Sequence, residues 1–256
     1  MGILNCTPDS FYDGGKYRDA DAIKHQVQKM LDEGATFIDI GAYSSRPGAD
    51  HISTEEELAR LLPVLKLVLE QFPTALISVD TFRSKVAQKA IAAGACMIND
   101  ISGGNADPLM FETVSELQVP YIAMHMQGTP QNMQKNPQYE NCTLEILQDF
   151  AEKSHQLKLL GLNDIIFDVG FGFGKTQNHN YELLQQLELF HQLDTPILTG
   201  VSRKSMLYKP LNTSAEQALN ATTVAHTIAL QKGSQILRVH DVKEAMEVIK
   251  ITNLLQ

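Results

Sequence analysis

Several features that would define other protein classes are missing from this sequence. No apolar run approaches the roughly 18 residues of a membrane span. The three cysteines, Cys6, Cys96 and Cys142, lack C-x-x-C spacing, which argues against a zinc site or a disulfide framework and suits a reducing compartment. The first residues lack the basic and long apolar regions of a signal peptide. A cytoplasmic location without membrane association is expected.

Basic clusters are also missing. The chain has 30 acidic and 21 basic side chains, a net charge of −9, and no Lys/Arg-rich run. Such a chain is a poor binder of nucleic acid or of an anionic membrane. A few local cations can still bind a small phosphate-bearing ligand.

Strand-like and helix-like segments alternate along the chain. The predicted helices show apolar residues at helical spacing. The 256 residues, 43% of them hydrophobic, suffice for one sizeable core. The alternation predicts a single α/β domain over residues 1–256, a (β/α)8 TIM barrel, in preference to a doubly wound open sheet. Strands are predicted at 2–4, 37–40, 76–79, 97–98, 121–124, 165–167, 197–198 and 236–239. Helices are predicted at 20–33, 54–72, 84–93, 108–117, 144–160, 181–193, 215–232 and 242–254.

The predicted strands end in, or contain near their ends, polar residues that a plain scaffold does not need. They are Asn5, Asp39, Asp80, Asn99, His125, Asp168, Ser202 and His240. Active sites of (β/α)8 barrels lie at the carboxyl ends of the strands, and a buried carboxylate needs a partner or a ligand. The pattern therefore predicts an enzyme.

Two long connections, residues 6–18 and 42–53, follow the first two strands and are rich in Gly, Pro, Asp and Ser. In a barrel they overhang the catalytic rim, where loops of this kind act as lids. Phe11 is an aromatic residue on a polar loop, suited to covering a flat substrate. Arg46, beside Ser45, is a candidate phosphate clamp, although one Arg near a glycine is more often solvated surface.

Asp80, Asn99 and Asp168 come from three different strands. Together they can bind the hydrogen-bonding edge of a nitrogen heterocycle. A carboxylate site for Mg²⁺ is the chemical alternative, and helix N-caps are the structural one.

Three further motifs carry polar or aromatic groups at the later strands. Segment 170–176 resembles a phosphate loop, but Val169 stands where the Walker pattern needs glycine, so Phe173 is interpreted as a stacking surface. Lys204 can be a Schiff-base nucleophile, a phosphate contact or a donor to a heterocycle. Arg238 and His240 share one face of the last strand and suggest an anion site.

In these motifs the chain resembles the dihydropteroate synthases of the pterin-binding family, over essentially its whole length. The resemblance rests on segments 5–15, 44–48, 80–81, 99–100, 168–175, 202–205 and 238–241. It implies condensation of 6-hydroxymethyl-7,8-dihydropterin diphosphate with p-aminobenzoate to give 7,8-dihydropteroate and diphosphate, with Mg²⁺ as cofactor, sulfonamides as competitors and a homodimer.

The resemblance also implies a role for individual residues. The pterin is expected to contact Asp80, Asn99, Asp168 and Lys204. The diphosphate is expected to contact Asn5, Ser45, Arg46, Arg238 and His240, with Asn5 also binding Mg²⁺. The p-aminobenzoate pocket is expected to contain Phe11, Pro47, Phe173, Lys204 and Ser205. The residues expected to act in catalysis are Asp13, Arg46, Lys204, Arg238 and His240; Asp9 belongs with Asp13 to the first loop.

The sequence departs from the family in two places. The β-hairpin that usually precedes the first strand is apparently absent, and the second loop has Ala42 and Ser45 where the family often has Gly and Thr. Two other functions are open: a Schiff-base aldolase that uses Lys204, and a pterin-binding protein without catalysis. A pure binder needs Asp80, Asn99 and Asp168 only. The further residues that catalysis needs are also present, so catalysis is favoured; they are Asn5, Phe11, Arg46 and His240.

Overall fold

The fold consists of eight parallel strands that follow one another across a single sheet in chain order. A computed structural model describes residues 1–6, 16–44, 51–130, 132–133 and 135–255. The strands are β1 Gly2–Asn5, β2 Phe37–Gly41, β3 Leu76–Asp80, β4 Met97–Asp100, β5 Tyr121–Met124, β6 Ile165–Asp168, β7 Ile197–Thr199 and β8 Ile236–Leu237.

Backbone contacts join the two edges of this sheet. Gly2 forms a parallel bridge with Val239, just after β8. Ile3 N donates to Val239 O at 3.0 Å, and Val239 N donates to Met1 O at 2.9 Å. The predicted α/β fold with eight parallel strands is confirmed, and these bonds bring the first and last strands together as a barrel requires.

Helices connect the strands on the outer side. They are α1 Lys16–Asp32, α2 Thr54–Gln71, α3 Ser84–Ala92, α4 Met110–Leu117, α5 Cys142–Leu159, α6 Gln177–Gln185, α7 Ser205–Tyr208, α8 Leu219–Gln231 and α9 Val242–Asn253, with 3-10 turns at Leu187–Leu193 and Lys209–Leu211. The main core lies between strands and helices and contains the buried Leu65, Val86, Phe150 and Phe190.

Capping explains where several predicted boundaries move. Asn141 Oδ1 accepts from Leu144 N, so α5 begins at Cys142, two residues earlier than predicted. Thr176 forms a capping box with His179, which starts α6 at Gln177. A single helix predicted over 181–193 is not found. The α-helix ends at Gln185, and a 3-10 segment follows at Leu187–Leu193. The last strand is shorter than predicted, and Val239 contributes a single bridge.

Side chains inside the sheet change character along its axis. Met97, Ile122, Ile166 and Leu198 form a separate apolar cluster. Two residues further along, the same strand faces carry Asn99, Met124, Asp168 and Gly200. The polar groups thus collect at the carboxyl ends of the strands. None of the helices in the described ranges is both long and apolar enough to cross a membrane.

Candidate active site

An ion-pair network spans four strands or strand ends inside the sheet. Arg238 Nε lies 2.7 Å from Asp39 Oδ2, and Arg238 Nη2 lies 2.9 Å from Asp80 Oδ2. Asn99 Nδ2 donates to the same Asp39 oxygen at 3.0 Å. An ionised carboxylate only accepts hydrogen bonds, so Asp39 fixes the Asn99 amide with its nitrogen inward and leaves its carbonyl oxygen for a ligand.

Asp39 is a site residue that the sequence interpretation missed. The sequence places Asp39 among the polar residues near strand ends but assigns it no ligand. The signal was available, because Asp39 lies within an apolar run, is fully buried, and a buried carboxylate needs a cation or donors. Its partners come from β4 and the residue after β8, far away in sequence.

A row of residues aligned across the first four strands leaves space beside this network. Asn5, Gly41, Asp80 and Asn99 are opposite one another in successive strand pairs. A Cβ added at Gly41 would lie 3.3 Å from Asp80 Cβ, so glycine keeps the Asp80 carboxylate uncrowded. Asn5 is half-buried at the open end of β1.

Asp168 and Lys204 form the opposite side of the site. Asp168 is 4% exposed, and its Oδ1 accepts from Gly170 N at 2.8 Å. Lys204 Nζ donates to Phe171 O and lies 4.7 Å from the centre of the Phe173 ring. A Cβ added at Gly200 would lie 3.6 Å from Asp168 Oδ2 and 4.0 Å from Lys204 Nζ, so Gly200 borders the space between the two charges.

The outer rim connects the motifs after β7 and β8. His240 Nδ1 lies 3.1 Å from Ser202 Oγ, which also accepts from His240 N at 3.2 Å. Arg203 binds both carboxylate oxygens of Asp241, at 2.8 and 2.9 Å. These contacts tie the residue before Lys204 to the residue after His240, a connection that the sequence interpretation did not include. Ser205 begins α7 directly after Lys204.

Burial shifts the proton affinities of the charged groups in this site. It raises the pKa of Asp80 to about 7 against the opposing effect of Arg238, and it raises the pKa of Asp168 against that of Lys204. Burial lowers the pKa of Lys204 to about 8, with Asp168 opposing. Burial also acts to lower the pKa of Arg238, but the carboxylates of Asp39 and Asp80 outweigh it and raise that pKa. Desolvation and the charge of Arg238 lower the pKa of His240.

The structure therefore brings together five predicted residues, Asp80, Asn99, Asp168, Lys204 and Arg238, with His240 at the adjoining rim. The guanidinium of Arg238 already contacts two carboxylates rather than standing as a free cation. Predicted residues Asp9, Phe11, Asp13, Ser45, Arg46 and Pro47 lie outside the described residues.

Asn5 is compatible with a role at Mg²⁺. Mg²⁺ commonly takes one or two protein oxygens and fills its remaining positions with substrate phosphate oxygens and water. The single amide oxygen of Asn5, in line with Asp80 across the sheet, fits that pattern. Within the described ranges, no group of three or more His, Cys, Asp or Glu side chains is arranged to hold a metal.

The site combines acceptors for ring N–H groups, a cation over an aromatic ring and a polar rim at the ends of parallel strands. Together they define an α/β enzyme for a flat, nitrogen-rich substrate. The chain belongs to the pterin binding enzyme family, whose model matches residues 1–240.

Individual relatives agree with this membership. A dihydropteroate synthase of Haemophilus influenzae is 44% identical over 253 residues, covering 98% of this chain and 91% of the relative. The Yersinia pestis dihydropteroate synthase, solved with a sulfonamide drug complex, has a TM-score of 0.92 at 41% identity and covers 100% of this chain and 93% of its own. The Xanthomonas albilineans enzyme with 4-aminobenzoic acid has a TM-score of 0.92 at 36% identity, with 100% and 92% covered.

Proposed function

We propose that this protein is a transferase that catalyses the dihydropteroate synthase reaction of folate biosynthesis. The pterin methylene carbon exchanges its bond to the diphosphate oxygen for a bond to the aniline nitrogen of p-aminobenzoate, and the amine loses one proton. The observation that carries the proposal is the convergence of Asp80, Asn99 and Asp168 beside Lys204 and Arg238, together with whole-chain similarity to dihydropteroate synthases.

The described residues supply binding and charge. Asn99 offers a carbonyl oxygen, while Asp168 and Asp80 offer carboxylates, to the N–H groups of the pterin ring. Departure of diphosphate leaves positive charge on the pterin methylene group, which buried carboxylates nearby stabilise. No nucleophile–base pair is needed, because the amine becomes acidic after it has attacked; positioning then accounts for much of the catalysis.

The diphosphate is proposed to lie at the rim, against Asn5, Arg238 and His240, with Ser45 and Arg46 from the second loop. Mg²⁺, held by Asn5, would neutralise part of the charge on the departing diphosphate. Asp13 is proposed to stabilise the cationic pterin from the first loop. Support for this arrangement comes from the position of Asn5 beside the polar row and of His240 beside Arg238.

The p-aminobenzoate is proposed to bind beside Phe173 and Lys204, with Phe11, Pro47 and Ser205 completing the pocket. The cation above the Phe173 ring supports this placement, since it can attract the carboxylate of p-aminobenzoate while the ring packs on its arene. Sulfonamides are proposed to compete there, in line with the drug complex of the Yersinia relative.

Four features of the architecture, location and assembly of the protein are proposed along with the activity. They are a single TIM-barrel domain over residues 1–256, loops after β1 and β2 that overhang the carboxyl-terminal rim, a cytoplasmic location, and a homodimer through the late helices. The homodimer is proposed from the resemblance to the family.

Diphosphate release by purified protein tests the activity. With pterin diphosphate and Mg²⁺ present, release should depend on added p-aminobenzoate and stop when a sulfonamide is added in excess. Release without p-aminobenzoate, or no release at all, contradicts the proposal. A covalent adduct trapped by borohydride at Lys204 would instead favour the aldolase, and pterin binding without any turnover would favour a binding protein.

A further inference from the structure

The glycine-rich segment 170–174 lies directly against the chain that leaves β5. A Cβ added at Gly170 would lie 1.9 Å from His125 O, and one added at Gly174 would lie 2.5 Å from Gln127 O. Both glycines have positive φ, of 70° and 61°. No other residue type fits at these two positions without backbone movement, so the segment is docked by close backbone contact.

The Lys175 side chain links the end of this segment to His125, the residue after β5. Its side chain is 3% exposed, and Nζ lies 3.0 Å from His125 Nδ1, 3.2 Å from His125 O and 3.0 Å from Phe173 O. In its ammonium form Lys175 has three N–H donors, which match these three acceptors. Burial lowers the pKa of Lys175 to about 7, so this form is lost as the pH rises above 7. Burial, with the charge of Lys175, lowers the pKa of His125 to about 2, which leaves its ring neutral and able to accept.

The groups proposed to hold p-aminobenzoate rest on the same segment. Phe173 provides both a carbonyl for Lys175 and the ring beneath Lys204 Nζ. Lys204 Nζ also donates to Phe171 O. Tyr139 adds a second tie, because its hydroxyl donates to Gly174 O at 2.8 Å. The position of segment 170–174 therefore sets both the ring and the cation.

We propose that Lys175 is a positioning residue for p-aminobenzoate, acting by holding segment 170–174 against the end of β5. This inference rests on the proposed function. Lys175 is buried beneath the site and acts through Phe173 and Lys204. Asp80 and Asn99 are held by a different network, through Asp39 and Arg238, so loss of Lys175 should affect p-aminobenzoate more than the pterin.

Lys175→Met tests the inference, because methionine keeps the length of the side chain and loses its donors. The KM for p-aminobenzoate should rise roughly tenfold or more, since small displacements of binding groups have large kinetic effects. The Kd of pterin diphosphate, measured by calorimetry, should change by a smaller factor, because Asp80 and Asn99 keep their contacts. Only the Asp168 and Lys204 contacts depend on the segment, through Gly170 N and Phe171 O. Hydrogen exchange of the peptide that contains residues 170–174 should become faster, a readout that needs no activity.

Lys153→Met is the matched control. Lys153 is also a buried lysine, 5% exposed, but its Nζ pairs with Asp149 at 2.8 Å on α5. The charge of Lys153 also acts on the His125 ring, but its Nζ bonds Asp149 on its own helix. Lys153→Met should therefore leave the KM for p-aminobenzoate and the exchange of residues 170–174 unchanged. Tyr139→Phe removes only the hydrogen bond to Gly174 O and should shift both in the direction of Lys175→Met by a smaller factor; it decides the matter if Lys175→Met does not fold.

Three outcomes overturn the inference: unchanged exchange and KM in both test variants, equal losses for the two substrates, or the same change in Lys153→Met. Failure of the proposed function is distinct, because it shows as absence of p-aminobenzoate-dependent diphosphate release in the unaltered protein. The exchange experiment then still tests whether Lys175 holds the segment.

Discussion

The two halves of the sheet interior differ in what they bury. Toward the amino ends of the strands, Met97, Ile122, Ile166 and Leu198 pack together in an apolar cluster. Toward the carboxyl ends, the same strands and their neighbours bury Asp39, Asn99 and Asp168. The first half stabilises the fold by apolar packing, whereas the second half buries charges that require partners. Stability and ligand recognition are thus separated along the axis of one sheet.

Removing the shared cation should have the largest effect on the polar half. Arg238→Met leaves the buried Asp39 and the half-buried Asp80 without their common partner, and loss of one member of a buried ion pair costs about 3–5 kcal/mol. We expect the free energy of unfolding in urea to fall by this amount and activity to be lost. Unchanged stability would mean that water or another group compensates the two carboxylates.

Two substitutions on β6 should separate the effect on ligand affinity from the effect on stability within one strand. Asp168→Asn should weaken pterin diphosphate binding roughly 100-fold, because a charged hydrogen-bond acceptor is lost. The same variant should be at least as stable as the unaltered protein, since burial raises the pKa of Asp168 and the ionised form is therefore costly.

Ile166→Val, two residues earlier on the same strand face, should do the reverse. It removes one methylene group from the apolar cluster and should cost about 1 kcal/mol of stability. Calorimetry measures the Kd of pterin diphosphate for both β6 variants. In Ile166→Val this Kd should be the same as in the unaltered protein. Equal losses of affinity in the two variants would contradict the separation.

The dependence of kcat/KM on pH should show that p-aminobenzoate binding requires the charge of Lys204. Burial lowers its pKa to about 8 from the ordinary value of 10.5, so the ammonium form is lost as pH rises through 8. Above that pH, kcat/KM for p-aminobenzoate should fall about tenfold per pH unit. Lys204→Arg keeps its charge and should show no such fall, whatever its absolute rate. A fall that persists in this variant would assign the titration to another group.

Loss of the Lys204 proton should affect stability in the opposite direction: activity falls with rising pH, whereas the free energy of unfolding should rise. Between pH 8 and 10.5 the unfolded chain holds the Lys204 proton that the folded chain has lost. The contribution of this group to stability therefore improves as pH rises through that window.

The smallest expected effect concerns the rim. Asp241→Asn removes the charge of a two-point contact with Arg203, and we expect a loss of about 1 kcal/mol in stability with a few-fold decrease in kcat/KM, because Arg203 precedes Lys204 and Asp241 follows His240. Glu188→Gln, which removes the surface partner of Lys232, is the control and should change neither quantity. Similar losses in both variants would show that the effect is unspecific.

Much of this arrangement could be predicted because strands and the groups at their ends are local in sequence. Asp80, Asn99 and Asp168 each follow an apolar run, and a parallel sheet places the ends of such runs at one edge. The need of Asp39 for a partner was visible in the sequence, but the identity of its partners was not, because they are 60 and 199 residues away and depend on how the strands twist together. The bidentate pair of Arg203 and Asp241 escaped prediction for the same reason.

Helix boundaries depended on caps that periodicity does not record. Asn141 and Thr176 each start a helix earlier than the first apolar repeat indicates. The 3-10 segment Leu187–Leu193 retains apolar spacing close enough to that of an α-helix to be mistaken for one.

The side-by-side alignment of Asp80 with Asn99 has a consequence for how this chain can diverge. Side chains alternate between the two faces of a strand, so inserting one residue within β3 or β4 would turn these groups toward the helices and bring Val79 or Ile98 into the binding space. The turns at 73–75 and 94–96 precede β3 and β4, at the ends of the strands away from the site, and carry no such constraint. Length variation among descendants of this sequence should therefore accumulate in those turns and be purged from the strands.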